Sequence, residues 1–450
     1  MPRRLGKLSR SGFTLLLVSL SAVPGLRAQQ TMQDALNRLF VFGEGEDALF
    51  LVGSAQVPAT EVHGAHFIPA STEANAAMLE FFGRTIAKNV SSFPIPTTVG
   101  SETFVFVDGV PTRSSNSFGP IVAERAQTLG RGRVSAGVTY SRLGFSRLRG
   151  IDMRDLQFTF VHENVDFPNC DQIFGGDCTL WGVPQFENDV IDLTLDLDVQ
   201  ADVWTMFASY GLTDWLDVSV AVPVVGLEMN GESRATVQVS TENTPTHFFG
   251  GTPEVPVLSA TQSVRETAGG LGDVAARLKA RLGRGENWQF GLLSEVRLPT
   301  GRSEDFLGSG EWNARAQLVF SGTFGDFAPH GGFGYEYRGS EFDENEFKTN
   351  VGFDQRLANW VTLAIDVLGT FKAGERALLL PQPIQLEAPF PRTIRLTNIP
   401  ERRDDLLDGA VGFKMRATDG LFILVNALVP LNDGGLRAGV VPTVGIEFTH

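Results

Sequence analysis

Six histidines are scattered along the chain, and only His63 and His66, in the run HGAH, stand close together. Two ligands in a loop, with no third partner, fall short of the three or four protein ligands that a zinc site takes. Neither a GxSxG elbow, a P-loop, an HExxH pair nor a paired-cysteine zinc pattern occurs. A hydrolase would have to bring a serine to His162 or His330 near strand ends, so the sequence reads as non-enzymatic and implies no cofactor. The Gly- and acid-rich run TGRSEDFLGSGE, Thr300 to Glu311, reads as a solvated loop rather than a cation site. Cys170 and Cys178 lie in PNCDQIFGGDC, a turn-rich stretch, and read as a loop disulfide of an oxidising compartment rather than a metal or redox pair.

The remaining chemistry is charge. Asp155, Asp192, Asp196, Asp198, Asp202 and Asp217 fall on the polar parity of alternating segments in the first half of the chain. Arg277, Lys279, Arg281, Arg297, Arg315, Arg338, Lys348, Arg356, Lys414 and Arg416 do so in the second half, with Glu295, Glu336 and Asp354 among them. If the polar parity faces a lumen, acid gathers on one wall and base on the other. One reading is a field across a pore that orients polar solutes, since walls of charge tune selectivity. The other is that these groups pair with one another or with the N-terminal segment and fill a closed lumen. Pairing is favoured, because an unpaired charge in a narrow enclosure is costly.

The elements that position these residues are strands. From about residue 130 onward, apolar and polar residues alternate with a period of two, most plainly from Ile191 to Phe207. Similar alternation covers Leu216 to Val224, Val274 to Leu282, Val361 to Val367, Leu421 to Val429 and Ala438 to Phe448. Strands near 102–107, 131–145, 151–163, 189–211, 215–230, 272–283, 288–298, 312–322, 329–339, 346–357, 360–372, 406–417, 420–431 and 436–448 make about 14, within a range of about 12–16. Short and longer connections alternate along the chain, with Arg147 to Gly150 counted among the short ones, as periplasmic turns and extracellular loops do in a membrane barrel. The expected fold is all-β: a transmembrane antiparallel β-barrel over residues 101–450, closed because an open sheet edge leaves backbone groups unpaired in hydrocarbon. Trp288 and Trp312 sit on the apolar parity near strand ends, as an interfacial girdle requires, while Trp215 and Trp360 fall on the other parity.

Ahead of the barrel, residues 29–100 read as a partly helical segment. Ala74, Ala77, Met78, Phe81, Phe82 and Ile86 recur at helical spacing after Ser71 or Thr72, and an earlier helix fits Met32 to Phe42. Such a periplasmic segment is expected to insert into the lumen as a plug. Residues 1–28 carry five basic groups and no acids, an apolar run from Phe13 to Val23 and a cut after Ala28, which is a secretory signal peptide. Its removal takes the net charge from −15 to −20, which disfavours nucleic acid as a partner. No later stretch reaches the ~18 apolar residues of a spanning helix, which excludes a polytopic helical membrane protein.

Several runs resemble an outer-membrane barrel family labelled after the meta-pathway of phenol degradation. They are ERAQTLGRGR (Glu124 to Arg133), FENDVIDLTLDLDV (Phe186 to Val199), YGLTDWLDVSVAVPVV (Tyr210 to Val225), GLGDVAARLKARL (Gly270 to Leu282), RLPTGRSEDFLGSG (Arg297 to Gly310), GYEYRG (Gly334 to Gly339) and LVPLNDGGLRAGVVPTVGIEF (Leu428 to Phe448). The plan is also similar to that of fatty-acid and hydrocarbon channels, with their N-terminal plug. The resemblance implies a Gram-negative outer membrane, passage of small hydrophobic or aromatic molecules, and as partners the membrane lipids, the solute and the barrel-assembly machinery. It carries over no binding residue. The competing function is a structural or surface-interaction barrel with a closed lumen.

Overall fold

The computed structural model describes residues 30–43, 49–51, 69–91, 104–107, 110–113, 115–161, 169–174, 189–239, 248–252, 254–339, 344–374, 378, 380–386 and 391–450. The signal-peptide region, His63, His66 and Cys178 lie outside the described residues, and with Cys178 the expected disulfide. Cys170 opens the short helix Cys170–Phe174. No helix among the described residues is long and apolar enough to cross a membrane.

Twelve antiparallel strands close into a barrel. They are β1 (Val134–Leu148), β2 (Val190–Gly211), β3 (Leu216–Gln238), β4 (Val274–Arg284), β5 (Trp288–Leu298), β6 (Asn313–Gly322), β7 (Phe327–Arg338), β8 (Glu346–Ala358), β9 (Val361–Lys372), β10 (Leu406–Thr418), β11 (Leu421–Pro430) and β12 (Val441–Thr449). Each pairs with the next, and β12 closes on β1 from Thr443↔Ser141 to Thr449↔Ser135.

The expected fourteen strands therefore become twelve, and the two losses have separate causes. Phe104–Val107 pairs with Val110–Arg113 in a hairpin of its own. Leu156–Val161 pairs with the first residues of β2 and, on its other edge, makes only a bridge from Phe158 to Thr397. The chain turns back at the top of β1, through Arg149 (φ 48°) and Gly150 (φ 90°), and so never descends to the other end of the barrel. Arg149 is held there by two hydrogen bonds to Asp404, both 2.8 Å. The turn at Arg147 to Gly150 thus lies at the long-loop end, not among the short turns. A strand was also missed: Ser259–Leu271, expected as loop, pairs with the upper half of β3 and runs into β4 past Gly272 and Asp273.

The outside of the barrel is an apolar belt, with Phe290, Leu318, Phe333 and Val351 all more than half exposed. Trp215, Trp288, Trp312 and Trp360 are exposed as well. Trp215 and Trp360 stand in turns, where strand parity no longer decides direction. Only hydrocarbon can cover such a belt without cost, so this is an outer-membrane type of barrel.

Strands β2 and β3 are twice the length a tilted membrane strand needs, 22 and 23 residues against about 9–11. Their outward residues change character part-way. Trp204, Met206 and Tyr210 are exposed and apolar or aromatic, whereas Asp192, Asp196, Asp198 and Asp202 precede them on the same face. Tyr140 marks the boundary, its ring tilted against that of Trp204 with centroids 4.7 Å apart and its hydroxyl donating to Asp202 at 2.6 Å. The upper halves, beyond the belt, turn Leu193, Leu195, Leu197 and Val199 inward. There they pack on α1 (Met32–Arg38) and α2 (Pro69–Ser91) through Leu36, Leu39, Phe40 and Phe82. Thr31 caps α1, its hydroxyl accepting from the Asp34 amide at 3.1 Å while the Asp34 carboxylate accepts from the Thr31 amide at 3.3 Å.

Candidate functional site

The lumen is filled from both ends. At the short-turn end, residues 115–129 form a strap that crosses inside the barrel and touches strands all round it. The Leu129 amide donates to Asp217 of β3 (2.8 Å), the Ala126 amide to Ser321 of β6 (2.7 Å) and the Phe118 amide to Thr362 of β9 (3.0 Å). Phe118 packs against Phe422 of β11, and Arg416 of β10 lies 4.7 Å above its ring. These amides have no regular ladder to join, so wall side chains satisfy them. Arg125 grips Asp354 with its Nε at 3.1 Å and a second, shorter contact. Asp354 lies 3.3 Å from Nδ1 of His330, whose Nε2 is 2.6 Å from Asp366. His330 is therefore a member of a buried ion network, and no nucleophile–base pair or three-ligand metal cluster is assembled among the described residues.

The strap joins β1 at Gly130 to Gly132. Gly132 has φ +72°, and a side chain at Gly211 would collide with the Gly130 carbonyl, so glycine is required where the strap leaves the lumen.

At the long-loop end α2 reaches in. Lys88 pairs with Glu346 at 2.5 Å, and Arg297 donates to the Ser91 carbonyl. Between α2 and the strap lies a cavity of about 230 Å3. One arc of its wall is apolar: Leu143 and Phe145 of β1, Leu428 of β11, Leu436 and Val441, with Phe81 above. The opposite arc, β4 to β9, is charged. Glu346 accepts from Lys348 and Lys372 at 2.6 Å each and from Arg338 at 3.2 Å, besides Lys88. Glu295 is flanked by Arg277, by Arg297 at 2.8 Å and by Arg315 at 3.0 Å. Glu124 of the strap adds contacts to Arg277 (3.5 Å) and Lys279 (3.3 Å).

The sequence-selected residues divide accordingly. Arg277, Lys279, Arg297, Arg315, Arg338, Lys348 and Lys414 face inward, Lys414 against Glu447 at 3.3 Å near the short turns. Arg281 is half-buried at that end, Arg356 meets Asp326 and Asn359, and Arg416 meets Phe118. The acidic wall is different. Asp217 alone among its six residues is inside. Asp192, Asp196, Asp198 and Asp202 lie on the outer face of β2, because Leu193 to Val203 on the other parity take the core, and Asp155 is exposed before Leu156. A lumen wall of acid is thus not formed by them.

Sequence reasoning missed Glu346, the hub of the cationic arc, although it shares the parity of Lys348. It also missed the strap, whose irregular backbone leaves no period; ERAQTLGRGR, read only as a resemblance, contains its anchors Glu124 and Arg125.

Residues 184–373 match the family model described as "Putative MetA-pathway of phenol degradation". No curated protein sequence matches the chain. Among solved structures, the chain is similar to an outer membrane channel from Pseudomonas putida F1, at 11% identity over 72% of this chain and 98% of that chain, TM-score 0.40. It is similar also to a Pseudomonas aeruginosa FadL homologue, at 11% over 71% and 89%, TM-score 0.31. A TodX monoaromatic hydrocarbon channel mutant matches at 10% over 71% and 90%, TM-score 0.32. These superpositions are distant; the barrel is defined by its own strand ladder. Over β2 to β9, the stretch that carries the cationic arc, the chain matches the model of the phenol-degradation family that its sequence motifs resemble.

Proposed function

We propose that the protein is an outer-membrane channel for small molecules with a hydrophobic or aromatic body. The observation that carries this reading is the cavity between α2 and the strap, enclosed by a closed barrel and lined by apolar side chains along β11, β12 and β1. Pockets of this kind take small ligands by apolar contact and orient them by a few polar groups. In this reading residues 1–28 are removed on export, the barrel-assembly machinery inserts the mature chain, and residues 29–100 sit in the lumen. The contacts of α1 and α2 with the inward faces of β2, β3 and β8 support that last placement. Uptake of a labelled small aromatic by cells lacking the protein is expected to fall, and to return with the full-length chain. Unchanged uptake overturns the proposal.

A closed structural barrel is the second reading, favoured by the strap and α2, which cover the lumen at its two ends. Planar-bilayer conductance of the refolded chain separates them: steady conductance excludes a packed barrel, and silence together with unchanged uptake selects it.

A further inference from the structure

The cavity has a chemical sidedness that the channel reading does not use. We infer that it selects small amphipathic anions, an apolar ring or short chain bearing a single carboxylate, over neutral or cationic molecules of the same shape. The inference rests on the channel reading for its biological use, but not for the binding itself.

Three observations carry it. First, the charged arc presents its cations and hides its carboxylates. Arg315 and Lys348 each keep 18% of their side chains accessible inside the lumen, while Glu295 and Glu346, which hold them, keep 2% and 0%. The surface that a solute meets there is cationic. Second, among the described lining residues, eight lysines and arginines stand against four carboxylates, Glu124, Glu346, Asp404 and Asp408. Third, the facing arc is apolar at Leu143, Phe145, Leu428 and Val441, and the charged groups on that side, Asp408 and Arg437, are paired with each other. A carboxylate on Arg315 and Lys348 would place its apolar body against that arc. A charge held in such an enclosure interacts more strongly than in water, so the sign of the solute's charge is read there with little screening. An inorganic anion satisfies only one arc and a hydrocarbon only the other.

The test uses the full-length mature protein refolded in detergent and equilibrium titration with four probes: benzoate, benzyl alcohol, benzylammonium and inorganic phosphate. Benzoate is expected to bind at least tenfold more tightly than each of the other three. Lys348→Met and Arg315→Met are expected to lower benzoate affinity at least tenfold while leaving benzyl alcohol unchanged, which a merely structural role of either residue would not do. If a variant fails to refold, the comparison of the four probes on the unaltered protein decides alone. Equal binding of benzoate and benzyl alcohol, no binding of benzoate, or equal binding of phosphate overturns the inference. Tight benzoate binding with unchanged cellular uptake supports it and overturns only the channel reading.

Discussion

The lower and upper halves of β2 and β3 obey the same alternation and opposite solvents. Below the level of Trp204, the outward side chains are Trp204, Met206, Val218, Val220 and Val222, and the inward ones include Thr205, Ser209, Asp217 and Ser219. Above it the outward set is Asp192, Asp196, Asp198, Glu228 and Glu232, and the inward set is Leu193, Leu195, Leu197, Leu227 and Met229. No residue is skipped between the two halves; what changes is the medium on each side. Below, lipid lies outside and the polar strap inside. Above, water lies outside and the apolar helices inside. Period two tells which residues share a face, but the neighbours of that face decide whether it is core.

The strongest way to break this comparison is to remove the strap's anchor from the polar half. Arg125→Leu leaves Asp354 buried beside His330 without its guanidinium, and loss of one partner from a buried pair costs about 3–5 kcal/mol. The urea midpoint of the refolded barrel, followed by tryptophan fluorescence, is expected to drop accordingly. An unchanged midpoint would mean that the polar half does not depend on the strap. In the apolar half, Leu195→Ala removes a fully buried side chain facing the N-terminal helices and is expected to cost about 3 kcal/mol. Here the helices should loosen first, so protease cleavage within residues 69–91 is expected to speed up before the barrel itself unfolds.

Outward substitutions sharpen the contrast further. Phe333→Arg puts a charge into the belt and is expected to cost about 2–4 kcal/mol, whereas Thr194→Arg, outward in the upper half, should stay within about 0.5 kcal/mol. Equal costs, measured by unfolding in lipid vesicles, would place both in one medium. The smallest effect concerns Asp196, above the belt. Partial burial raises its carboxyl above the ordinary range, and Glu232, Asp152 and Asp198 add to this against the pull of Arg154. A raised acid holds its proton better in the folded state, so the extension gains stability as pH falls toward the ordinary carboxylate value and loses it as pH rises. Protease resistance of the extension is expected to be slightly greater at about pH 4 than at about pH 7, and Asp196→Asn should abolish that difference.

Much of the barrel was legible. Ten of the strands from Leu216 onward carry outward apolar residues on one parity, and from that parity Arg277, Lys279, Arg297, Arg315 and Lys348 were assigned to the interior. The acidic residues were misplaced because β2 was read as if its whole length lay in one medium, with the apolar face of Ile191 to Phe207 toward lipid. Nothing within the strand itself marks the crossing except the step from Asp202 to Trp204. The strap was illegible for another reason: its backbone amides and side chains answer to positions on β3, β6, β8, β9 and β11, more than a hundred residues distant for most of them, and local pattern holds no trace of such pairing. Leu156–Val161 alternates as a barrel strand does, and only the reversal at Arg149 and Gly150 keeps it out.

The strap's point of attachment also constrains how the molecule can be put together. It runs directly into β1, the strand that meets the last one, β12, along the closing seam from Ser135 to Thr449. The contents of the lumen and one lip of that seam are therefore a single piece of chain, tied at Gly130 to Gly132. A sheet that zipped shut before the strap had found Asp217, Ser321 and Asp354 would leave those wall groups without their partners until residues 115–129 entered through the barrel's end. Since the seam joins residues at opposite ends of the barrel sequence, it is the strand pairing with the greatest loop-closure cost, and it is the one to which the strap is tied.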